Sequence, residues 1–222
     1  MSNKQAGKLI IENIQMLDEA VKLLSGDLSQ QIYEGIEKVL QDKLSEFSEE
    51  WSRSNELLSD FSYPFAPKKW RLIDSEQFRH KDYFARYCLT WESTHSEQET
   101  NQYLLTAFFK NSYDVIIFKF FPWFGCYARC TNGLWKKFAT AQNEKYPEIE
   151  SLGFKYSAKE GEWYLPIDSL SQQLVADCYV EDNLADAMGP ITEALDKLYQ
   201  AHPYFDKIVE AAKVEFGVNV QD

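Results

Sequence analysis

The side chains with the most chemistry available to them are four cysteines (Cys88, Cys126, Cys130, Cys178) and three histidines (His80, His95, His202). A thiol nucleophile at Cys126 or Cys130, with His80 or His95 as its base, is the covalent chemistry these types could assemble. It needs the two groups within hydrogen-bond reach in the folded chain. Gly125-Cys126 follows an apolar run and reads as an exposed turn. Against this, a small buried hydrophobe is the commoner fate of a free cysteine, and Cys88 and Cys178 stand alone in the sequence. Cys126 and Cys130 are four apart, not the three of a Cys-x-x-Cys redox or zinc motif. Three histidines are too few for a multi-histidine metal site. The sequence contains no Gly-x-x-x-x-Gly-Lys-Ser/Thr, Gly-x-Gly-x-x-Gly, His-Glu-x-x-His or Gly-x-Ser-x-Gly, and no EF-hand loop. No catalytic residue, metal or cofactor is therefore expected.

Two weaker patterns remain. His95-Ser96-Glu97, followed by Cys126, approaches the His-x-Glu…Pro-Cys-x-x-Cys arrangement of zinc deaminases. It departs in the cysteine spacing, in Gly125 where proline belongs, and in lying on loop or strand instead of helix N-termini. The second pattern interleaves cations with aromatics: Lys68-Lys69-Trp70-Arg71, Arg79-His80-Lys81, Arg86-Tyr87, Tyr127-Ala128-Arg129 and Trp135-Lys136-Lys137-Phe138. Such pairs can neutralise phosphates and stack bases, which makes these ten-odd residues candidate nucleic-acid contacts. The same pattern describes a sheet edge where Trp and Tyr bury and Lys reaches past them to water.

Charge separates these readings only in part. The net charge is −12, which argues against indiscriminate binding to nucleic acid. It is unevenly distributed. Residues 1–60 carry 6 basic against 12 acidic side chains, residues 61–140 carry 11 against 7, and residues 141–222 carry 6 against 16. A mildly basic centre lies between two acidic flanks. Either the flanks are solvated helical faces, or the centre meets an anionic partner while the flanks shield it or bind something basic.

The elements that must carry these residues are legible in the periodicities. In the first helix Ile10, Ile14, Leu17, Val21 and Leu24 repeat with spacing 4-3-4-3, an a/d seam. Ser25-Gly26-Asp27 interrupts it, with Gly26 as a left-handed C-terminal residue, Asp27 as the next N-cap and Gln30 completing a capping box. A second helix follows, its apolar face running through Leu28, Ile32, Ile36, Val39, Leu40, Leu44, Phe47 and Trp51. These two make a helical hairpin over residues 1–60, which packs on the rest of the chain, self-associates or docks a partner. Tyr63-Pro64-Phe65-Ala66-Pro67 marks a boundary.

Residues 61–222 read as an α+β domain with an antiparallel sheet. Tyr83 to Trp91 alternates with period two. Gln102–Lys110 and Tyr113–Phe121 are predicted as the second and third strands of a meander, and Phe124–Cys130 as a fourth. Leu134–Ala141 is a short helix. Phe154–Ser157 and Trp163–Ile167 form a hairpin across Ala158-Lys159-Glu160-Gly161. Ser171–Cys178 is helical. Pro190 opens a helix that His202-Pro203 breaks, and a last helix follows. Helices, then strands, then helices make an α+β class. A 45% hydrophobic, 15% aromatic composition supports a sizeable core. No apolar run reaches 18 residues and no secretory signal is visible, so a cytoplasmic protein with reduced thiols and no membrane contact is expected.

From Trp70 to about Lys213 the order of elements, together with Leu152-Gly153-Phe154 and Trp163-Tyr164-Leu165-Pro166, resembles the C-terminal accessory region of uncharacterised bacterial and phage proteins of the PD-(D/E)XK nuclease superfamily. Catalysis there needs an Asp and a nearby Asp/Glu-x-Lys holding Mg²⁺. None of the 18 lysines has Asp or Glu two positions before it, and Asp114 and Lys119 are five apart on opposite strand faces. The resemblance therefore implies a non-catalytic relative from a bacterial or phage setting. The expectation is an interaction protein that binds a protein partner, or a second copy, through its helical and acidic surfaces. The candidate helix positions are Ile10, Ile14, Leu17, Val21, Leu24, Ile32, Ile36 and Leu40. The alternative is a nucleic-acid-associated protein using Lys68, Lys69, Trp70, Arg71, Arg79, Lys81, Arg86, Arg129, Lys136 and Lys137.

Overall fold

Helices open and close the chain and an antiparallel sheet lies between them, an α+β fold. The computed structural model describes residues 3–54, 62–72, 78–93, 104–109 and 114–219. Three helices come first: α1 (Asn3–Glu12), α2 (Ile14–Ser25) and α3 (Asp27–Glu46). The sheet strands are β1 (Trp51–Arg53), β2 (Tyr63–Pro67), β3 (Ala85–Ser93), β4 (Asp114–Pro122), β5 (Lys155–Ser157) and β6 (Glu162–Pro166). They lie in the order β1-β2-β3-β4-β6-β5, every pair antiparallel. Both edge strands have three residues, a length that leaves little open ladder for another chain to pair with. Helices α4 (Asn132–Lys145) and α5 (Glu148–Ser151) connect β4 to β5, and α6 (Gln172–Val180) and α7 (Gly189–Phe216) follow β6.

The strands alternate, and their inward residues build an aromatic core. Tyr87, Phe120 and Trp163 all surround Phe205 of α7, with ring centroids 5.7, 4.8 and 5.9 Å from it. Offset and edge-to-face rings at such distances contribute beyond the area they bury. Helix α3 joins this core through Ile32, Ile36, Leu40 and Leu44, and Phe47 stacks on Tyr199 of α7 at 4.0 Å. The β5–β6 hairpin turns at Gly161, whose φ is +71° and whose added Cβ would meet Lys136 Cγ at 3.0 Å. Glycine is required there both for the backbone angle and for the close approach of α4.

Several expectations are corrected. Leu104–Phe108, inside the predicted strand 102–110, is a 3-10 turn. Leu105, Ala107 and Phe108 are all buried, a pattern that alternation cannot produce, and Leu170 N–H caps Phe108 O at 2.7 Å. The rest of that strand, the polar loop before it and the Asn111-Ser112 connection lie outside the described residues, and β3 pairs directly with β4 over nine residues. The Tyr63–Pro67 boundary is strand β2. Pro64 donates nothing to the ladder, but its carbonyl accepts from Ser54 N–H at 3.0 Å. Trp51, read as the end of a helical face, lies in β1. Phe124–Cys126 is a 3-10 turn, not a strand. Pro203 does not break α7, which runs 28 residues through it. Burial of His202, Phe205, Ile208 and Val209 on one continuous face outweighs the cost of the lost hydrogen bond, about 3 kcal/mol. Gly26 has φ −126°, not a left-handed value, and Asp27 makes no side-chain cap. The first seam helix is divided at Asn13, where the N–H reaches both Leu9 O and Ile10 O at 3.2 Å.

Candidate interaction surfaces

The basic centre is neutralised in part from within. Lys68 Nζ pairs with Glu50 at 2.9 Å, and Lys69 Nζ bridges Glu49 at 2.9 Å and Asp206 at 2.6 Å. Burial works against the charge on Lys69, but its hydrogen bonds to Asp206 and Glu49 outweigh that and hold the ammonium above its ordinary value. Trp70 is fully buried, its indole N–H donating to Asp206 Oδ1 at 2.7 Å. Arg71 donates to Tyr83 Oη and Ser52 Oγ. Arg86 is partly buried over Phe121, its guanidinium carbon 5.2 Å from the ring centroid, and desolvation lowers its pKa. Lys136 lies 4.0 Å from Glu160. Arg79, Lys81, Arg129 and Lys137 are exposed and have no ion pair among the described residues. The backbone of Lys81 touches the 124–126 turn, where Cys126 Sγ contacts Lys81 O at 3.4 Å.

Behind Lys69 and Trp70 lies a polar chain absent from the sequence-based candidates. His202 is 2% exposed between the rings of Trp51 and Trp70, at 5.0 and 5.1 Å. Its Nδ1 meets Tyr87 Oη at 3.0 Å and its Nε2 meets Glu49 Oε2 at 3.3 Å. A carboxylate only accepts, so Nε2 carries the proton, Nδ1 accepts and Tyr87 donates. The imidazole is thus satisfied while neutral. Burial, opposed by Glu49, lowers its pKa below the ordinary value. Burial, reinforced by Asp206 and Glu49, raises the Tyr87 phenol well above its own. The partners are 115 and 153 residues apart, so no local spacing announces them. With Tyr87 and His202 buried and Glu49 half-buried, these three side chains lock β3, α7 and the segment after α3 together.

The thiols are poor nucleophiles as placed. Burial, helped by Asp82, pushes Cys126 up to about 11, and burial alone pushes Cys130 to about 11. Both are protonated at neutral pH, whereas attack needs the thiolate. His95 lies outside the described residues, and so does the first half of the deaminase-like pattern. Among the described residues no cluster of three or more His, Cys, Asp or Glu is arranged to hold a metal ion, and no helix is long and apolar enough to cross a membrane.

The helical candidates divide in two. Ile32, Ile36 and Leu40 lie in the core of their own chain, 4%, 0% and 0% exposed. Most of the seam of α1 and α2 does not: Ile10, Ile14, Leu17 and Val21 are 50%, 57%, 36% and 45% exposed, whereas Leu24, at its end, is half-buried against the core. Leu9, Ile11, Met16 and Leu23, beside the seam, are also exposed. Neither helix contains a buried residue. The ion pairs Lys8–Glu12 and Lys22–Asp18 occupy i,i+4 positions off the seam. No family model matches the chain, and no curated protein or solved structure is similar to it.

Geometry alone therefore distinguishes the surfaces. In the basic centre Lys68 and Lys69 are occupied by carboxylates, while Arg79, Lys81, Arg129 and Lys137 have no ion pair among the described residues. The α1–α2 arm offers a continuous apolar stripe. Its flanking residues Leu9, Met16 and Leu23 recur every seven positions, a signal present in the sequence beside the seam itself.

Proposed function

We propose that the chain is a non-catalytic interaction protein of a bacterial or phage setting that docks a protein partner on its N-terminal helical arm, with its acidic flanks as accessory surface. The observation that carries this is the absence of any buried residue in α1 or α2. Isolated helices of this length are marginal in water, more so with Gly7 and four β-branched residues in them and a break at Asn13 between them. An apolar face of this kind is stable when something covers it.

The test uses the full chain, because α3 belongs to the core and cannot be removed with the arm. Wild type and the double variant Ile14→Glu/Leu17→Glu are immobilised and exposed to native extract, with and without nuclease. Protein retained by wild type after nuclease treatment, and lost from the variant, is the expected result. Retention that survives both substitutions overturns the reading.

A second reading, nucleic-acid contact by a degenerate nuclease relative, rests on Arg79, Lys81, Arg129 and Lys137, which have no ion pair among the described residues. It is tested by binding of a single-stranded oligonucleotide at low salt, weakened by Arg79→Glu/Lys81→Glu. No binding at low salt removes it.

A further inference from the structure

Between the last turns of α3, β1 and Lys68 lies a cleft of about 390 Å³, within the size range of small-molecule sites. Most of its polar side chains are engaged within the chain. Gln41 Nε2 donates to Glu37, Ser45 Oγ donates to Asp42 O, and Ser48 Oγ bonds Tyr199 Oη. Glu50 holds Lys68, and Glu49 holds Lys69 and His202. Both carboxylates of the lining are therefore committed.

The donors are not. Arg53 lines the cleft and has no ion pair among the described residues. Trp51 also lines it, and its buried indole N–H meets no acceptor in the chain. Tyr63 is 0% exposed, and its Oη is likewise without a hydrogen bond. Register sets the three on one face of the sheet. Trp51 lies opposite Pro67, Arg53 lies opposite Phe65, and Tyr63 is two residues before Phe65 on β2. Burial raises the Tyr63 phenol. Arg53 and Gln41 lie close enough to oppose that rise, without closing a hydrogen bond to it.

A buried donor without an acceptor is costly, and native chains leave few of them. Here two such donors accompany one uncompensated guanidinium, whose planar fork suits both oxygens of a carboxylate. One free positive charge matches one negative charge. A dianion would meet Glu49 and Glu50 in a molecule of net charge −12. The cleft is larger than a carboxylate alone, and Leu44 and Phe47 give it apolar wall.

We infer that this cleft binds a small organic monocarboxylate. Arg53 and the Trp51 indole N–H take its oxygens, with Tyr63 beside Arg53, and its carbon body rests on Leu44 and Phe47. The site is independent of the α1–α2 arm.

The experiment is saturation-transfer NMR on the full chain at pH 7.5 with benzoate and butyrate. Benzamide is the neutral counterpart of benzoate, and inorganic phosphate is the competitor. Benzoate is expected to bind at least about tenfold more tightly than benzamide. Arg53→Gln should weaken it by about tenfold or more, as the loss of a charge-assisted bond does. Phosphate at equal concentration should leave benzoate bound. Ser45→Trp, at an exposed position of the lining, closes the cleft from outside and should abolish binding at unchanged Tm. It keeps the test decisive where Arg53→Gln does not fold. Dissociation constants weaker than about 10 mM for both carboxylates overturn the proposal. So do equal binding of benzamide, displacement by phosphate, and binding that survives either variant in its folded form.

Discussion

Tyr87→Phe deletes a single oxygen from a fully buried ring, and the consequence follows from the tautomer of His202. With Nε2–H directed at Glu49 Oε2, 3.3 Å away, Nδ1 is a lone acceptor whose donor is Tyr87 Oη at 3.0 Å. His202 is 2% exposed and enclosed by Trp51 and Trp70, so no water replaces the missing hydroxyl without rearrangement. An orphaned buried acceptor costs about 1–3 kcal/mol. A chain of this size loses about 2–4 °C of Tm per kcal/mol, so a fall of about 2–12 °C is expected. Urea unfolding at pH 7.5 reads the same change as a lower midpoint at constant slope. The pH dependence checks the assignment independently. The folded-state pKa of His202 is depressed, so the unfolded chain binds the extra proton first. Its contribution to stability is fully present above the unfolded value of about 6.5 and is lost as pH falls through the lower folded value. Without the Tyr87 donor the neutral ring loses its advantage, so the variant should show a shallower fall in stability below pH 6.5. A variant within about 0.5 kcal/mol of wild type, as ordinary surface changes are, would refute the buried-donor argument. So would an acid limb identical to that of wild type.

Leu40→Ala in α3 should cost about 2–5 kcal/mol, as for other buried leucines, while Ile14→Ala in α2 changes the unfolding of the body by less than about 0.5 kcal/mol; thermal melts of the two compare core with arm. Pro203→Ala should raise Tm by several degrees, because it restores an N–H to the middle of α7 and removes a penalty of about 3 kcal/mol. A lower Tm would mean that the proline ring packs in a way the helix needs. Thiol alkylation of the native protein should be slow at pH 7 and accelerate towards pH 11, where Cys126 and Cys130 begin to ionise. Fast labelling of Cys130 at neutral pH would show an activated thiolate.

What local pattern could reveal, it revealed. The 4-3-4-3 seam, the β5–β6 hairpin around Gly161 and Pro190 at the start of α7 each depend on residues within a few positions of one another. The failures have a common cause in contacts from far along the chain. Trp51 satisfies the helical period of α3, yet its ring is held among Phe65, Tyr87 and His202, which draws the segment into the sheet. Pro203 carries a strong local stop signal that the buried face of α7 overrides. Tyr63–Pro67 was obscured by two prolines, because a strand without some N–H groups still offers carbonyls to its neighbours. The polar chain through Tyr87, His202 and Glu49 has no sequence spacing to recognise at all.

The segmented charge becomes intelligible on the same terms. Lys68, Lys69, Lys119 and Lys136 belong to the basic centre, and each pairs with a carboxylate from a flank: Glu50, Glu49 with Asp206, Glu162, and Glu160. Part of the uneven distribution along the chain is therefore cancelled locally on folding. Exposed pairs of this kind contribute only about 0–1 kcal/mol each, so their effect on stability is small beside that of the aromatic core. Their effect on recognition is larger, since a lysine already holding a carboxylate must give it up before it can neutralise a phosphate. Within a molecule of net charge −12, that exchange is opposed both locally and by the wider field. The exposed part of the α1–α2 stripe, Ile10, Ile14, Leu17 and Val21, holds no carboxylate that a partner would have to displace.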